Sequence, residues 1–214
     1  MLKIWGRTSS SNVMKVMWTV AELGLPHERV DAGGKFGGLE TAEYGRMNPN
    51  RKVPVIQDGD LVLWESNAIV RYIADTYGKG RLSPTDKIQR AHADQWIDYA
   101  ATGLVPDIMG GVFVPLAYTK AADRNMAAVD AAAARGADKF SVLDVHMAGR
   151  HFIVGDTLTM ADIVVGGVLH RYYTMPITRP PRPNVEAYYK RLTERKTYRE
   201  NVMFDWRDLK IEGA

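Results

Sequence analysis

The apolar pattern changes period twice within the first 30 residues. Leu2 to Trp5 is a short apolar run ended by Gly6. Val13, Val16, Met17, Val20 and Leu23 then recur at helical spacing and stop at Gly24. Pro26 opens a second extended stretch, His27 to Val30. Strand, helix, strand in so short a span calls for two parallel strands joined by a crossover helix. Ser9, Ser10, Ser11 and Asn12 precede the helical run, and such residues supply N-cap chemistry, so the helix is expected to start near residue 12.

Residues 31 to 50 are rich in glycine and polar groups, with one short helix expected from Leu39 to Met47. Val53 to Gln57 and Leu61 to Trp64 read as strands, and Asp58-Gly59-Asp60 between them reads as a tight hairpin turn. Glu65-Ser66-Asn67 then caps a helix with Ile69, Val70, Tyr72 and Ile73 on one face. The order β-α-β-(α)-β-β-α is that of a thioredoxin-like fold. The breaker-rich stretch from Gly78 to Pro84 reads as a linker. After Asp86 the pattern is helical, with breaks expected at Pro106, Gly110-Gly111, Pro115, Gly155 and the proline-rich stretch 176–183. The expected architecture is an α+β thioredoxin-like domain over 1–79 and an all-α domain over 86–214.

Composition narrows the function classes. A net charge of +3, from 28 basic and 25 acidic residues mixed along 214 positions, gives no reason to expect a nucleic-acid partner. No apolar run approaches the ~18 residues that cross a bilayer, and Met1 to Arg7 lacks the apolar core of a signal peptide. A cytoplasmic location without membrane attachment is the expectation. Cysteine is absent, which leaves no disulfide, no thiolate metal site and no cysteine nucleophile. Thioredoxin-type redox chemistry therefore has no residues to use, and no metal site is expected. Any sulfur chemistry would need sulfur brought in by a substrate.

Three constellations could carry chemistry. Pro54 in Lys52-Val53-Pro54-Val55 cannot donate to a strand ladder, so it marks either an edge strand or a cis bond that turns the Val53 backbone outward toward a ligand. Glu65-Ser66 sits at a helix start, where free N–H groups attract anions, although simple capping would explain it as well. The serine cluster is placed to donate a hydrogen bond to a thiolate at the start of the first helix, although it too reads as a capping turn. A fourth element is structural. Thr159 and Asp162 have capping-box spacing, and Leu158 and Ile163 form its hydrophobic staple.

Together these motifs resemble the cytosolic glutathione transferase family, most closely its bacterial theta-like or serine type. The resemblance rests on Glu22-Leu23-Gly24-Leu25-Pro26, on Asn48-Pro49-Asn50-Arg51-Lys52-Val53-Pro54-Val55 and on Leu63-Trp64-Glu65-Ser66-Asn67-Ala68-Ile69, and it covers essentially the whole chain. It implies that the Val53 main chain, beside cis-Pro54, pairs with the cysteinyl part of glutathione. It also implies that Glu65 and Ser66 hold the γ-glutamyl end and that Lys52 lies near the glycyl carboxylate. Alignment on Gly24 puts the family's thiol-activating serine at Ser10, with Asn12 and Ser11 as alternatives. The implied activity is conjugation of the glutathione thiolate to a small hydrophobic electrophile, a detoxification chemistry, in a homodimer. Thr8, Trp96, Tyr99, Met109, Phe113 and Tyr118 are candidates for the electrophile pocket, and each has core or dimer packing as its alternative. Peroxidase, isomerase or ether-lyase activity, or a non-catalytic glutathione-binding stress protein, remain rival readings.

Overall fold

A computed structural model describes residues 1–214. The first strand, β1 (Leu2–Trp5), leads through a serine-rich turn into α1 (Ser11–Leu23), and Gly24 ends that helix in the left-handed conformation. After β2 (His27–Val30) come a 3-10 turn at Gly34–Phe36 and a short α2 (Ala42–Met47), which is shorter than the sequence pattern suggests. The strands β3 (Val55–Asp58) and β4 (Leu61–Trp64) form the expected hairpin, and α3 (Ser66–Tyr77) follows. The sheet order is β2-β1-β3-β4, with β1 parallel to β2 and antiparallel to β3. Ile4 stands opposite Ile56 across that central pairing. Both are fully buried against Val16 and Val20 of α1 and Ile69 and Ile73 of α3.

The remainder is helical. One continuous rod runs from Lys87 to Tyr118. It comprises α4 (Lys87–Tyr99), a π-wound segment (Ala100–Phe113) and α5 (Val114–Tyr118). Then come α6 (Met126–Met147), α7 (Met160–Thr174), α8 (Pro183–Thr193) and α9 (Lys196–Val202). The breaks expected at Pro106, Gly110-Gly111 and Pro115 do not occur. Wider i→i+5 winding accommodates Pro106, whose ring would clash with a carbonyl in an α-helix, and Pro115 sits in the first turn of α5. Gly111 serves close packing instead: a Cβ there would lie 2.4 Å from Ala132 Cβ of α6. Gly136 plays the reciprocal part against Ile108. The alanine-dense stretch of α6 thus permits close helix approach, and Arg135 and Lys139 lock the pair by binding the buried Asp107.

By length and composition the Lys87–Tyr118 rod could cross a bilayer, contrary to the sequence expectation. Half of its apolar stretch is buried within the protein, where Leu104, Ile108, Val112 and Phe113 join the helical core.

Helix α1 belongs to two cores. Val16 and Val20 pack on the sheet, whereas Trp18 enters the helical core and meets Tyr198 of α9 edge-on at 4.8 Å. Glu22, at the end of α1, accepts hydrogen bonds from Trp18, Thr197 and both Arg195 nitrogens that reach it. In α7, Asp162 is fully buried and accepts from four donors. These are the Thr159 N–H at 2.8 Å, the Thr159 hydroxyl at 2.9 Å, the Ile153 N–H at 2.9 Å and the Tyr188 hydroxyl at 2.7 Å. The capping box therefore does more than start a helix, because its carboxylate ties α7 to α8 and to the preceding loop.

Candidate active site

The sheet and the helical layer meet at a cleft beside the start of α1. The turn residues Ser9 to Asn12, with Lys15, form one wall. Val105, Met109 and Phe113 from the rod and Val168 from α7 form the other. This cavity measures about 190 Å³. A neighbouring compartment of about 550 Å³ is bounded by Thr8, the Gly34–Phe36 turn, Tyr118, Phe204 and Leu209.

Ser10 occupies the N-cap position of α1, but its side chain makes no capping bond. The first N–H groups of a helix lack intrahelical partners and carry partial positive charge. The Ser10 hydroxyl is thus left to face the cleft beside a helix end suited to an anion. The same holds at α3. Glu65 is its N-cap residue, makes no capping bond and has φ 71°, a left-handed conformation costly for a non-glycine residue. Capping was the plainer reading of both motifs, and in both the cap side chains are free instead. The two helix starts are linked, since the Ser66 hydroxyl donates to Asn12 Oδ1 at 3.2 Å.

The Val53–Pro54 bond is cis. Neither the N–H nor the C=O of Val53 is hydrogen-bonded within the protein, so an extended strand-like ligand finds a free donor and acceptor here. The preceding loop is held firmly. The Lys52 carbonyl accepts from Tyr44 Oη and Asn48 Nδ2, both at 2.8 Å. The Lys52 side chain is exposed.

Of the pocket candidates, Met109, Phe113 and Tyr118 line the cleft, and Thr8 lines the neighbouring compartment. Trp96 and Tyr99 line neither, which corrects the expectation. Their rings meet edge-on, Trp96 also packs on His146, and the Tyr99 hydroxyl donates to the Lys139 carbonyl of α6. The inward face of α4 turns toward α6 there.

The sequence reading missed several cationic residues. Lys15 is buried, and its ammonium donates to Asn67 Oδ1 at 2.8 Å. Burial pushes its pKa down to about 8, against the opposing pull of Glu65. Arg171 of α7 lies under the cleft with its guanidinium 5.2 Å from the Phe113 ring centre. It donates to the Phe204 carbonyl and, at 3.4 Å, to the Ser9 carbonyl, while its Nε has no partner. Burial pushes it down to about 10. Arg7 lines both compartments. A lysine set among the apolar positions of α1 was the one sequence signal for this group.

The family model for the glutathione S-transferase N-terminal domain matches residues 1–75, and that for the glutathione S-transferase C-terminal domain matches residues 126–191. The chain is 39% identical over 205 residues to glutathione S-transferase GstB of Escherichia coli strain K12, covering 95% of this chain and 98% of that protein. A theta class glutathione S-transferase from Xanthomonas axonopodis pv. citri, solved with glutathione bound, superposes with a TM-score of 0.90 at 37% identity, covering 96% of this chain and 98% of that one. Elongation factor 1-gamma 1 of Oryza sativa subsp. japonica is 31% identical over 169 residues, which is 78% of this chain but 40% of that protein. With both halves matched and 39% identity held across nearly its whole length, the chain belongs to the glutathione S-transferase family.

Proposed function

We propose that this chain transfers the glutathione thiolate to a small hydrophobic electrophile, with residues 1–79 holding glutathione and residues 86–214 supplying most of the electrophile pocket. The unpaired Val53 backbone carries the reading, because a free N–H and C=O beside two uncapped helix starts suit a zwitterionic tripeptide. In this reading the cysteinyl main chain pairs with Val53. The γ-glutamyl carboxylate sits on the α3 start with Ser66, and Glu65 takes the ammonium. Lys52 reaches the glycyl carboxylate.

Ser10 is the thiol activator in this reading. Its hydroxyl donates to the sulfur, and the α1 start favours the anion, so the thiol loses its proton to water near neutral pH. The thiolate then attacks an electrophilic carbon held against Met109, Phe113 and Tyr118. Asn12 has its amide oxygen engaged by Ser66, which leaves its NH₂ as the alternative donor. Ser11 also lines the cleft. The protein acts as a cytoplasmic homodimer in this proposal, and the exposed Ile88, Val142 and Val145 provide apolar surface for a partner copy.

Calorimetry with glutathione and turnover of 1-chloro-2,4-dinitrobenzene form the test. Glutathione binding together with accelerated conjugation is the expected result. Absence of binding ends the proposal, and binding without turnover on a panel of electrophiles, hydroperoxides and ethers favours a non-catalytic glutathione-binding role. Light scattering reads the dimer independently.

A further inference from the structure

The chemistry of the second substrate is written in the larger compartment, and the inference drawn from it rests on the transferase reading. Arg7 connects the two compartments, lining both together with Ser9, Tyr118 and Leu209. Its side chain lies along the Gly33-Gly34 backbone. A Cβ on Gly34 would come within 3.1 Å of Arg7 Cδ and 3.2 Å of Nε, and one on Gly33 within 3.3 Å of an Arg7 terminal nitrogen. Both glycines have positive φ, 77° and 59°, so a side chain there would be strained as well as crowded. The bed that holds this arginine is therefore specific.

The guanidinium so held forms no hydrogen bond and no ion pair with the protein. That is unusual for a half-buried arginine, whose five donors ordinarily find partners. The Tyr118 hydroxyl, at the same junction, is also unpaired. Lys35 adds a second cation at the rim and is not ion-paired either. Its ammonium lies over the ring of Phe36, 5.2 Å from the centroid. Asp208 is the one carboxylate in the lining, and it is exposed. The aromatic rings of Phe36, Tyr118 and Phe204 line the same compartment.

We propose that the electrophile is an aromatic compound bearing an anionic group, a carboxylate or sulfonate. The anion lies between the Arg7 guanidinium and Lys35 on the side of the larger compartment, and the ring reaches past Tyr118 into the cleft, where Met109 and Phe113 line the wall. A planar guanidinium matches a carboxylate in two parallel hydrogen bonds, whereas a neutral substituent leaves its donors unmet. Anchoring the anion there points the rest of the ring through the Arg7–Tyr118 junction toward Ser10. For an aryl chloride, the glutathione sulfur forms a bond to the carbon bearing chlorine. Chloride leaves with the C–Cl electron pair, and the thiol proton passes to water.

The test compares 4-chloro-3-nitrobenzoate with its neutral counterpart 4-chloro-3-nitrobenzamide at saturating glutathione, each rate divided by its uncatalysed rate. The normalised kcat/KM should favour the carboxylate about tenfold, the scale of one charge-assisted hydrogen-bond pair in a partly open cleft. Arg7→Met should remove most of that preference, the exposed Lys35→Met part of it, and Asp208→Asn should increase it. Equal normalised rates in the wild type overturn the proposal. So does a preference that survives in both cation variants, or an Arg7→Met variant whose only change is a higher KM for glutathione. If neither compound turns over, turnover of the more activated 1-chloro-2,4-dinitrobenzene decides the transferase reading separately. Calorimetry with 3-nitrobenzoate against 3-nitrobenzamide then decides the anion site alone: about tenfold tighter binding of the acid supports it, and equal affinities overturn it.

Discussion

Lys15 Nζ donates to Asn67 Oδ1 across 2.8 Å, joining the middle of α1 to the first turn of α3 from inside the protein. The ammonium is a buried charge one turn beyond the serine cluster. Its ordinary pKa of 10.5 falls to about 8, chiefly through burial. A lysine whose folded pKa is lowered binds protons less well folded than unfolded. Folding stability should therefore rise with pH between about 8 and 10.5, where only the unfolded chain keeps that proton. Lys15→Met should lack this rise. Urea unfolding at pH 7 and pH 9.5 should show the wild type gaining on the order of 2 kcal/mol over the variant. Parallel pH profiles for the two proteins would contradict the assignment.

Ser10→Ala removes the hydroxyl assigned to the sulfur while leaving the helix start intact. The apparent pKa of the glutathione thiol in the complex, read from thiolate absorbance against pH, should rise by about one unit, the worth of one hydrogen bond to a charged group. Asn12→Ala should shift it less, because in this reading Ser10 is the main donor and the Asn12 NH₂ only the alternative one. If the two variants exchange these effects, the activator is Asn12.

Asp162→Ala leaves the Tyr188 hydroxyl and the Ile153 and Thr159 N–H groups without a buried acceptor. The loss should be about 3 kcal/mol or more, visible as a large fall in melting temperature. Asp162→Asn should recover only part of it, because an amide presents donors toward at least one of the same donors. A melting temperature within a degree or two of wild type would remove the carboxylate from its central place between α7 and α8.

Glu22 gives the acid side. Burial pushes its carboxyl up, but the bonds from Arg195, Thr197 and Trp18 outweigh burial and hold it below its ordinary 4.5. A carboxylate with a lowered folded pKa stabilises above about pH 4.5 and loses that contribution as pH falls through the folded value. Glu22→Gln should lower stability near neutrality by about 2 kcal/mol, an amount reduced by the partial exposure of Arg195. It should also flatten the acid limb of the unfolding curve. Denaturant titrations from pH 3 to 7 measure both effects.

The sheet and its three helices were legible because their signals are local: period changes, Gly24 and Asp58-Gly59. The motifs proposed to hold glutathione stood out for the same reason, as three short segments in fixed order, and the structure brings their cis Val53–Pro54 bond and helix starts together around one cleft. The helical half was less so. Pro106 and Gly110-Gly111 follow the local rules for helix breaks, but a wider winding and the close approach of Ala132 override those rules from a distance. Trp96 and Tyr99 were expected at the pocket, with core packing as the alternative, and they pack toward α6 instead, because residue type and spacing do not say which neighbour a face meets. Arg7 and Lys35 carry no periodic signal. Their meaning comes from the Gly33-Gly34 bed and from Tyr118 and Leu209, more than 80 residues away in sequence.

Trp18 stands in the helical core while its own helix carries the sheet. The sheet and its helices are joined to the helical half by the non-helical stretch from Gly78 to Asp86, which invites cutting and rejoining chains there. The Trp18–Tyr198 contact makes such a graft non-neutral, since an exchanged first half brings a ring shaped for a different socket. Recombination between relatives should thus yield sound chimeras only when residue 18 and residue 198 come from the same parent, so that this contact, and not the linker, marks the unit of inheritance.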